Sequence, residues 1–351
     1  MRENHMVGLV PVEETLDFAL LRALGVKWVR LDCGFPYGEK PGELSEAFRR
    51  RLETVRRYAG EGFKVLGVSV LPGSYRFDAA SGRIRWGTDL PGWMGAYDSD
   101  AFYQNLREAC AETGRLTKGL VDYWQIANEP DAEMFTGPFR DDELVRFLVA
   151  AAEGILEGNP DAKNGLNPAA PRERSRWLVG ETYQRENSPF HFLGLDCYFG
   201  SWQGGGPEDW VSYIETMHAL VNRPIVINEW GYSSLQGTPV TNPIAPSREV
   251  REHSDGGYEI CLTKQWVNRW GAGHSEETQA EYIRECLRIF AENPYVIGNF
   301  FFRWNDTERC WRCGQSGCPS ECAWGIVDAH GKPKAGYYAM RQGIRDYFTQ
   351  A

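Results

Sequence analysis

The sequence predicts a (β/α)8 barrel, and three observations predict it. Short β-branched and aromatic runs alternate with amphipathic stretches along all 351 residues, the pattern of strands separated by helices. The strand runs are apolar on both sides, so they belong in a parallel sheet covered by helices. Counting them gives eight of each kind, which favours closure into a barrel over an open, doubly wound sheet. No Gly-x-Gly-x-x-Gly or Gly-x-x-x-x-Gly-Lys turn is present to support a nucleotide-binding sheet.

The elements follow in order. Val7 to Val10 is a short first strand, and an amphipathic helix through Glu13 to Leu24 is closed by Gly25 before the second strand, Val26 to Leu31. A helix from Glu43 to Gly60 carries Leu44, Phe48, Leu52, Val55 and Tyr58 on one face, and Phe63 to Val70 is the third strand. A Gly-, Pro- and Trp-rich loop over 71–97 leads to a helix over 99–118 and the fourth strand, Val121 to Ala127. Then come a helix over 141–157, a weak fifth strand at Lys163 to Leu166, a helix over 172–186 and the sixth strand, Phe192 to Tyr198. A helix over 207–221 precedes the seventh strand, Ile225 to Asn228, and a long insertion over 233–274 follows it. The last helix–strand–helix set is 275–292, Val296 to Phe302, and 334–348. The whole chain, 1–351, is therefore expected as one catalytic domain with insertions at 71–97 and 233–274 and a cysteine loop at 310–322.

Composition narrows the function. Thirty-eight Lys and Arg stand against 48 Asp and Glu, a net charge of −10 without a basic tract, which argues against nucleic acid or an anionic membrane surface as partner. No run approaches 18 consecutive apolar residues, so no membrane span is expected. The N-terminus lacks the form of a signal peptide, so the expectation is a cytoplasmic protein, or a secreted one if a leader was removed.

In such barrels chemistry sits where the strands end. The fourth strand ends Gln125-Ile126-Ala127-Asn128-Glu129-Pro130, and the seventh ends Ile227-Asn228-Glu229-Trp230-Gly231. Each thus sets a Glu, preceded by Asn, at its C-terminal edge, and strands four and seven face each other across the mouth. Opposed carboxylates at about 5 to 5.5 Å are what a retaining glycosidase needs, one to attack the anomeric carbon and one to protonate the leaving oxygen. The nucleophile must stay ionised and the acid must stay protonated, so their environments must differ. A lone Glu at a strand end could merely cap a helix or pair with an Arg; two of them, 100 residues apart on these two strands, point to catalysis.

On these residues the chain resembles the clan A glycoside hydrolases, and within them the families 5 and 39 group of retaining β-glycosidases. The resemblance runs over Gly25-Val26-Lys27-Trp28-Val29-Arg30, Asn128-Glu129-Pro130, Asp196-Cys197-Tyr198, Glu229-Trp230-Gly231 and Phe302-Arg303-Trp304-Asn305-Asp306, and on through Trp324 to Tyr338. It implies that Glu129 is the acid/base and Glu229 the nucleophile of a double displacement that needs no cofactor. It also implies that Asn128 donates to the sugar 2-hydroxyl, Tyr198 hydrogen-bonds Glu229, Arg30 stands behind the nucleophile, and Trp304 floors the pocket. The chain departs from family 5 in having no His near Val68-Ser69-Val70-Leu71 and no His-x-Tyr at the sixth strand.

Tryptophans also gather in the loops: Trp86, Trp93, Trp202, Trp266 and Trp270. Sugars present CH faces that stack on indole, so these are candidate platforms for an oligo- or polysaccharide, Trp202 first among them, with loop packing as the alternative. The insertion over 233–274 is long enough to be a lid, a subsite wall or an oligomer contact.

Nine cysteines cannot all pair. Cys33, Cys110, Cys197, Cys261 and Cys286 are scattered among apolar residues and read as free thiols, whereas Cys310, Cys313, Cys318 and Cys322 form a Cys-x-x-Cys-Gly turn and a second pair. That set fits a closed structural zinc site, with two disulfides as the competing reading. The six histidines have no metal-binding spacing, so a catalytic metal is not expected. Two other functions stay open: a non-catalytic carbohydrate-binding barrel that keeps the Trp platforms, and an interaction module built on the cysteine loop.

Overall fold

A computed structural model describes residues 5–12, 16–69, 71, 73–78, 83–241, 260–261 and 263–349. Its strands are β1 (Met6–Leu9), β2 (Trp28–Asp32), β3 (Lys64–Ser69), β4 (Gly73–Asp78), β5 (Arg83–Thr88), β6 (Val121–Ile126), β7 (Lys163–Gly165), β8 (Leu193–Cys197), β9 (Ile225–Trp230) and β10 (Val296–Phe301). The helices are α1 (Phe18–Leu24), α2 (Glu46–Gly60), α3 (Asp100–Leu116), α4 (Asp141–Gly158), α5 (Glu173–Tyr183), α6 (Asp209–Val221), α7 (Glu276–Glu292) and α8 (Ala335–Tyr347). Eight strands form one sheet in the order β7-β6-β3-β2-β1-β10-β9-β8, every described pairing parallel. The two ends of that order meet: Gly194 N donates to Leu166 O at 2.7 Å and Asp196 N to Pro168 O at 3.1 Å, which brings β8 against β7 and rounds the sheet into a single-domain (β/α)8 barrel. The barrel's fourth, sixth and seventh strands are β6, β8 and β9.

Helix ends follow local chemistry. Asp17 caps α1 by accepting from the backbone N–H groups of Ala19 and Leu20, and Gly25 closes it at φ 94°, a left-handed conformation that glycine adopts without strain. The helix therefore starts at Phe18; the expected start at Glu13 lies outside the described residues, as does Val70 at the end of the third strand. Ser45 caps α2 in the same way, through Phe48 N, so that helix opens at Glu46 rather than Glu43. Ser99 and Ser275 cap α3 and α7.

The segment 71–97, expected as loop, contains an antiparallel hairpin in which β4 and β5 pair from Gly73–Thr88 to Asp78–Arg83. Alternation of Tyr75, Phe77, Ile84 and Trp86 with polar residues is a period-of-two signal too short to stand out beside the Gly and Pro around it.

Inside the barrel, Met6, Trp28, Leu66, Phe192, Val226 and Phe300 form a separate apolar cluster. Gly8 and Gly165 make room for it, since a Cβ at either would lie 2.6 Å from Phe300 or 2.4 Å from Phe192. Further along the same strands the buried side chains turn polar: Arg30, Gln125, Asp196 and Asn228. The barrel is thus plugged below and charged above, and the charged end is the one where β6 and β9 finish. Among the described residues no helix is long and apolar enough to cross a membrane.

Candidate active site

Strand β2 carries Arg30, which is 8% exposed and reaches across the barrel to the ends of two other strands, β6 and β9. Its Nη2 lies 2.7 Å from Glu229 Oε1 and donates to Asn128 Oδ1 at 2.7 Å, and its Nε donates to Gln125 Oε1 at 2.7 Å. Gln125 Oε1 also accepts from Asn228 Nδ2 at 2.7 Å, and Gln125 Nε2 donates to Asn128 Oδ1 at 3.1 Å. Asn167, just beyond β7, donates to the same Asn128 oxygen at 3.2 Å and accepts from Glu129 N at 3.0 Å. The Asn128 oxygen is thus taken by three donors.

The backbone here is held away from ordinary geometry. Ala127 and Glu129 have φ of 61° and 40°, left-handed values that non-glycine residues adopt only when their surroundings impose them. Such strain gathers where a side chain must be aimed, and the side chain aimed here is the Glu129 carboxyl.

The two glutamates sit in different environments. Glu229 is 7% exposed, ion-paired to Arg30 and bonded by Tyr198 Oη, which donates to its Oε2 at 2.5 Å. Burial first, and then the Glu229 charge, hold the Tyr198 phenol well above its ordinary range, so it remains a donor. Glu129 makes no ion pair among the described residues, and the charge that opposes its protonation is that of Arg312. Desolvation, then repulsion from Glu229 and from Asp131, push its carboxyl up to about 8. Asp131 is itself buried and fixed by Ser175 Oγ at 2.6 Å and Ala169 N at 2.9 Å.

The structure therefore brings Arg30, Asn128, Glu129, Tyr198 and Glu229 to one mouth. Trp304 does not line it: the side chain is fully buried in the main core, 6.4 Å from Tyr337 ring to ring, and its backbone N–H donates to Val10 O at 3.0 Å beyond β1. The aromatic residues that flank Tyr198 are Trp324 and Phe302, with ring centroids at 4.9 and 5.9 Å. Trp202 is partly buried, edge-on to Trp266 at 4.9 Å, with the Arg312 guanidinium 5.0 Å from its ring centre. Trp266 is 3% exposed and wedged between Trp202, His274 and Trp324, so it supports the wall instead of offering a platform. Trp93 bonds Gly38 O and Trp270 packs on Tyr282. Trp86, from β5, lines a cavity of about 190 Å³ with Leu71, Asn128, Pro130, Phe139 and Phe147, adjoining the Glu129 loop. The central part of the long insertion, 242–259, lies outside the described residues.

The cysteines are arranged differently from the expectation. Cys261, Cys310, Cys313 and Cys318 are all buried, with their sulfurs within 4.8 Å of one another. Cys261, read from sequence as a free thiol, takes the place expected for Cys322, whose sulfur instead contacts Gln315 O at 3.8 Å. The reason is topological: 261 and 310–318 lie in the loops after β9 and β10, which are neighbours in the barrel. None of the nine cysteines is in a disulfide. Gly314 has φ 70° and its N–H donates to Cys310 O at 2.7 Å, closing the turn that lets the two cysteines converge. The cluster could hold a metal.

Sequence reasoning missed Gln125, Asn167, Asp196 and Asn228. Their signal is a polar residue inside an otherwise apolar buried strand or at its end, which a globular core tolerates only when it is hydrogen-bonded or functional.

No family model and no curated protein matches the chain. Many solved structures do, at low identity. The GH5_18 enzyme of Streptomyces cattleya in complex with GlcNAc superposes with a TM-score of 0.67 at 12% identity, over 100% of this chain and 82% of that one. Xylanase 10B of Thermotoga maritima gives 0.61 at 15% identity, over 98% and 95%. A GH2 β-galacturonidase of Eisenbergiella tayi bound to galacturonate gives 0.58 at 15% identity, and the chain spans 99% of its own length but 52% of that enzyme. The fold is that of these hydrolases, and the chain resembles the clan A glycoside hydrolases.

The raised Glu129 carboxyl has a consequence for stability. A proton held up to about 8, against 4.5 ordinarily, is kept by the folded protein and released by the unfolded chain over the interval between. The stabilising contribution is whole below the lower value and is lost as pH rises through the upper one. Glu129→Gln lacks this loss, so its melting temperature relative to wild type is expected to climb between about pH 5 and 8. Parallel melting curves across that range would contradict the assignment.

Proposed function

We propose that this chain is a retaining glycoside hydrolase that cleaves a β-linked oligo- or polysaccharide, or a β-glycoside, by double displacement. The observation that carries the reading is the inequality of its two glutamates. Glu229, fixed by Arg30 and Tyr198, attacks the anomeric carbon while Glu129 gives its proton to the leaving oxygen. Glu129, now a carboxylate, takes a proton from water, which attacks the anomeric carbon and returns the electron pair of the ester bond to Glu229. Asn128, its oxygen fully engaged, donates through its NH2 to the sugar 2-hydroxyl, a bond that strengthens as the ring gains positive charge. Trp202, from the loop after β8, and Trp86, from β5, are the indoles that would meet further sugar units. The solved neighbours support the kind of reaction: they include a GH5_18 enzyme in complex with GlcNAc, a xylanase and a β-galacturonidase.

Glu129→Ala should slow cleavage of glycosides with poor leaving groups by about 10²- to 10⁴-fold, the worth of general acid catalysis. Dinitrophenyl glycosides, which need no acid to depart, should still form the glycosyl-enzyme, and azide should restore turnover with a β-glycosyl azide as product. A panel of aryl β-glycosides and polymeric glucan, mannan, xylan and galactan provides the substrates. Binding of a glycan without cleavage of any would make the chain a non-catalytic carbohydrate-binding barrel.

The cysteine cluster, on the same proposal, holds a structural zinc ion. Four thiolates around zinc at about 2.3 Å in a tetrahedron stand about 3.8 Å apart. Cys261 and Cys310 are 3.9 Å apart and Cys261 and Cys318 are 3.8 Å apart, far beyond the sulfur separation of a disulfide. No open position remains for substrate or water, so the ion would be structural. It would staple the loop after β9 to the loop after β10. Elemental analysis should find one zinc per chain in wild type and Cys322→Ser, but less in Cys261→Ser, with a lower melting temperature. Full zinc in Cys261→Ser would contradict this ligand set.

A further inference from the structure

Asp196 is a buried acid for which the two-glutamate mechanism has no use. It lies on β8 in register with Glu229 of β9, two residues before Tyr198 and therefore on the same face of the strand, turned into the barrel. It is 0% exposed, and neither carboxyl oxygen has a hydrogen-bond donor. A buried carboxylate in that condition is among the most unfavourable groups a protein can hold. The charged and titratable groups around it are Glu229 from β9, Glu129 and Asp131 from the end of β6, Arg30 from β2, Tyr213 from α6, and its own neighbours Cys197 and Tyr198. Arg30, the cation among them, is already engaged with Glu229, Gln125 and Asn128.

Asp196 and Glu129 are both tied to the chain just beyond β7, Asp196 N donating to Pro168 O at 3.1 Å and Glu129 N to Asn167 Oδ1 at 3.0 Å, and a side-chain hydrogen bond with Asp196 is among the influences that lower the Glu129 carboxyl. Two carboxylates have only acceptors to offer each other, so that contact exists only if one of them keeps a proton. In the resting enzyme Glu129 must keep its own proton as the acid. Once that proton has left with the aglycone, Glu129 is an anion deep in the mouth, and Asp196 is the group beside it that can carry a proton.

We propose that Asp196 is a positioning residue, a neutral carboxylic acid that donates a hydrogen bond to the Glu129 carboxylate while Glu129 acts as the base of the second displacement. The proton stays on Asp196 throughout. Water gives its proton to Glu129, water oxygen bonds the anomeric carbon, and the bond to Glu229 breaks with its electron pair returning to that carboxylate. Desolvation, then the charges of Glu229 and Glu129, raise the Asp196 carboxyl well above the ordinary carboxylate range, in keeping with a neutral donor. Ketosteroid isomerase supplies the general precedent of an apolar site keeping an aspartic acid neutral so that it can donate.

This inference rests on the retaining-hydrolase reading, and the test separates the two. With a dinitrophenyl glycoside the second displacement limits kcat, and the acidic limb of its pH profile reports the ionisation of Glu129 in the glycosyl-enzyme. Asp196→Ala removes the donor and should move that limb up by about one pH unit or more, since a charge-assisted hydrogen bond is lost. Asp196→Asn keeps a donor of the same shape and should hold the limb near wild type. A limb that moves down in either variant would mean that a charge had been removed, and would overturn the proposal, as would two unmoved limbs. Should Asp196→Ala fail to fold, Asp196→Asn still decides by the sign of its shift. Infrared difference spectra near neutral pH should also show a neutral-carboxyl band in wild type that Asp196→Asn lacks, and no difference would count against the proposal. An enzyme that turns over no glycoside at all overturns the functional reading together with this one.

Discussion

The Arg30 guanidinium is out of water, and the candidate site is arranged around that fact. A buried cation is tolerable only when its donors are satisfied and its charge is met. Glu229 meets the charge, and Gln125 and Asn128 take the remaining bonds, so one side chain from β2 ties together the ends of β6 and β9. From this single pairing the chemical asymmetry follows. Glu229 is ion-paired to Arg30, whereas the Glu129 carboxyl, raised first by burial and then by the charges of Glu229 and Asp131 and only partly offset by Arg312, is driven towards the neutral acid. Taking away Arg30 would strip Glu229 of its counter-charge in a low-dielectric site, where breaking one partner of a buried pair costs about 3 to 5 kcal/mol.

Much of this was legible in the residues. Among the described residues, the eight barrel strands and eight helices are those that periodicity anticipated, because most strands are largely apolar on both faces and most helices on one; β7, Lys-Asn-Gly, is the weak one. The two strand-end glutamates were visible because chemistry on a parallel barrel collects at one rim. Boundaries moved by a few residues wherever a cap decided them, as Asp17 and Ser45 did. The hairpin of β4 and β5 was hidden by its short alternation among glycines.

What the residues concealed was spatial adjacency. Cys261 is 49 residues from Cys310, and nothing in its local surroundings distinguishes it from a core thiol; only the neighbouring positions of β9 and β10 bring it to the cluster. Trp304 sits in a run that resembles the clan A barrels, yet its side chain is wholly buried in the main core. Gln125, Asn228 and Asp196 each interrupt an apolar strand, a signal that says a polar partner exists without saying which. The same adjacency joins the periphery to the centre: Ser233 Oγ donates to Pro319 O at 3.0 Å, Lys334 Nζ bonds Ser234 Oγ and Asp306, and Arg312 pairs with Glu321 at 2.7 Å. These bonds and the cysteine cluster fasten the loops after β9 and β10 into the wall on which Trp202 and Trp324 lean towards Tyr198.

The central claim is that Glu229 carries the sugar as a covalent ester. Its most direct test is intact-mass measurement after incubation with 2-deoxy-2-fluoro β-glycosides bearing good leaving groups, followed by peptide mapping. The account predicts a gain of one fluoroglycosyl unit, located on the peptide containing Glu229 and absent in Glu229→Gln. An adduct on another residue, or turnover of the matching unfluorinated glycoside to the inverted anomer with no adduct formed, would contradict it.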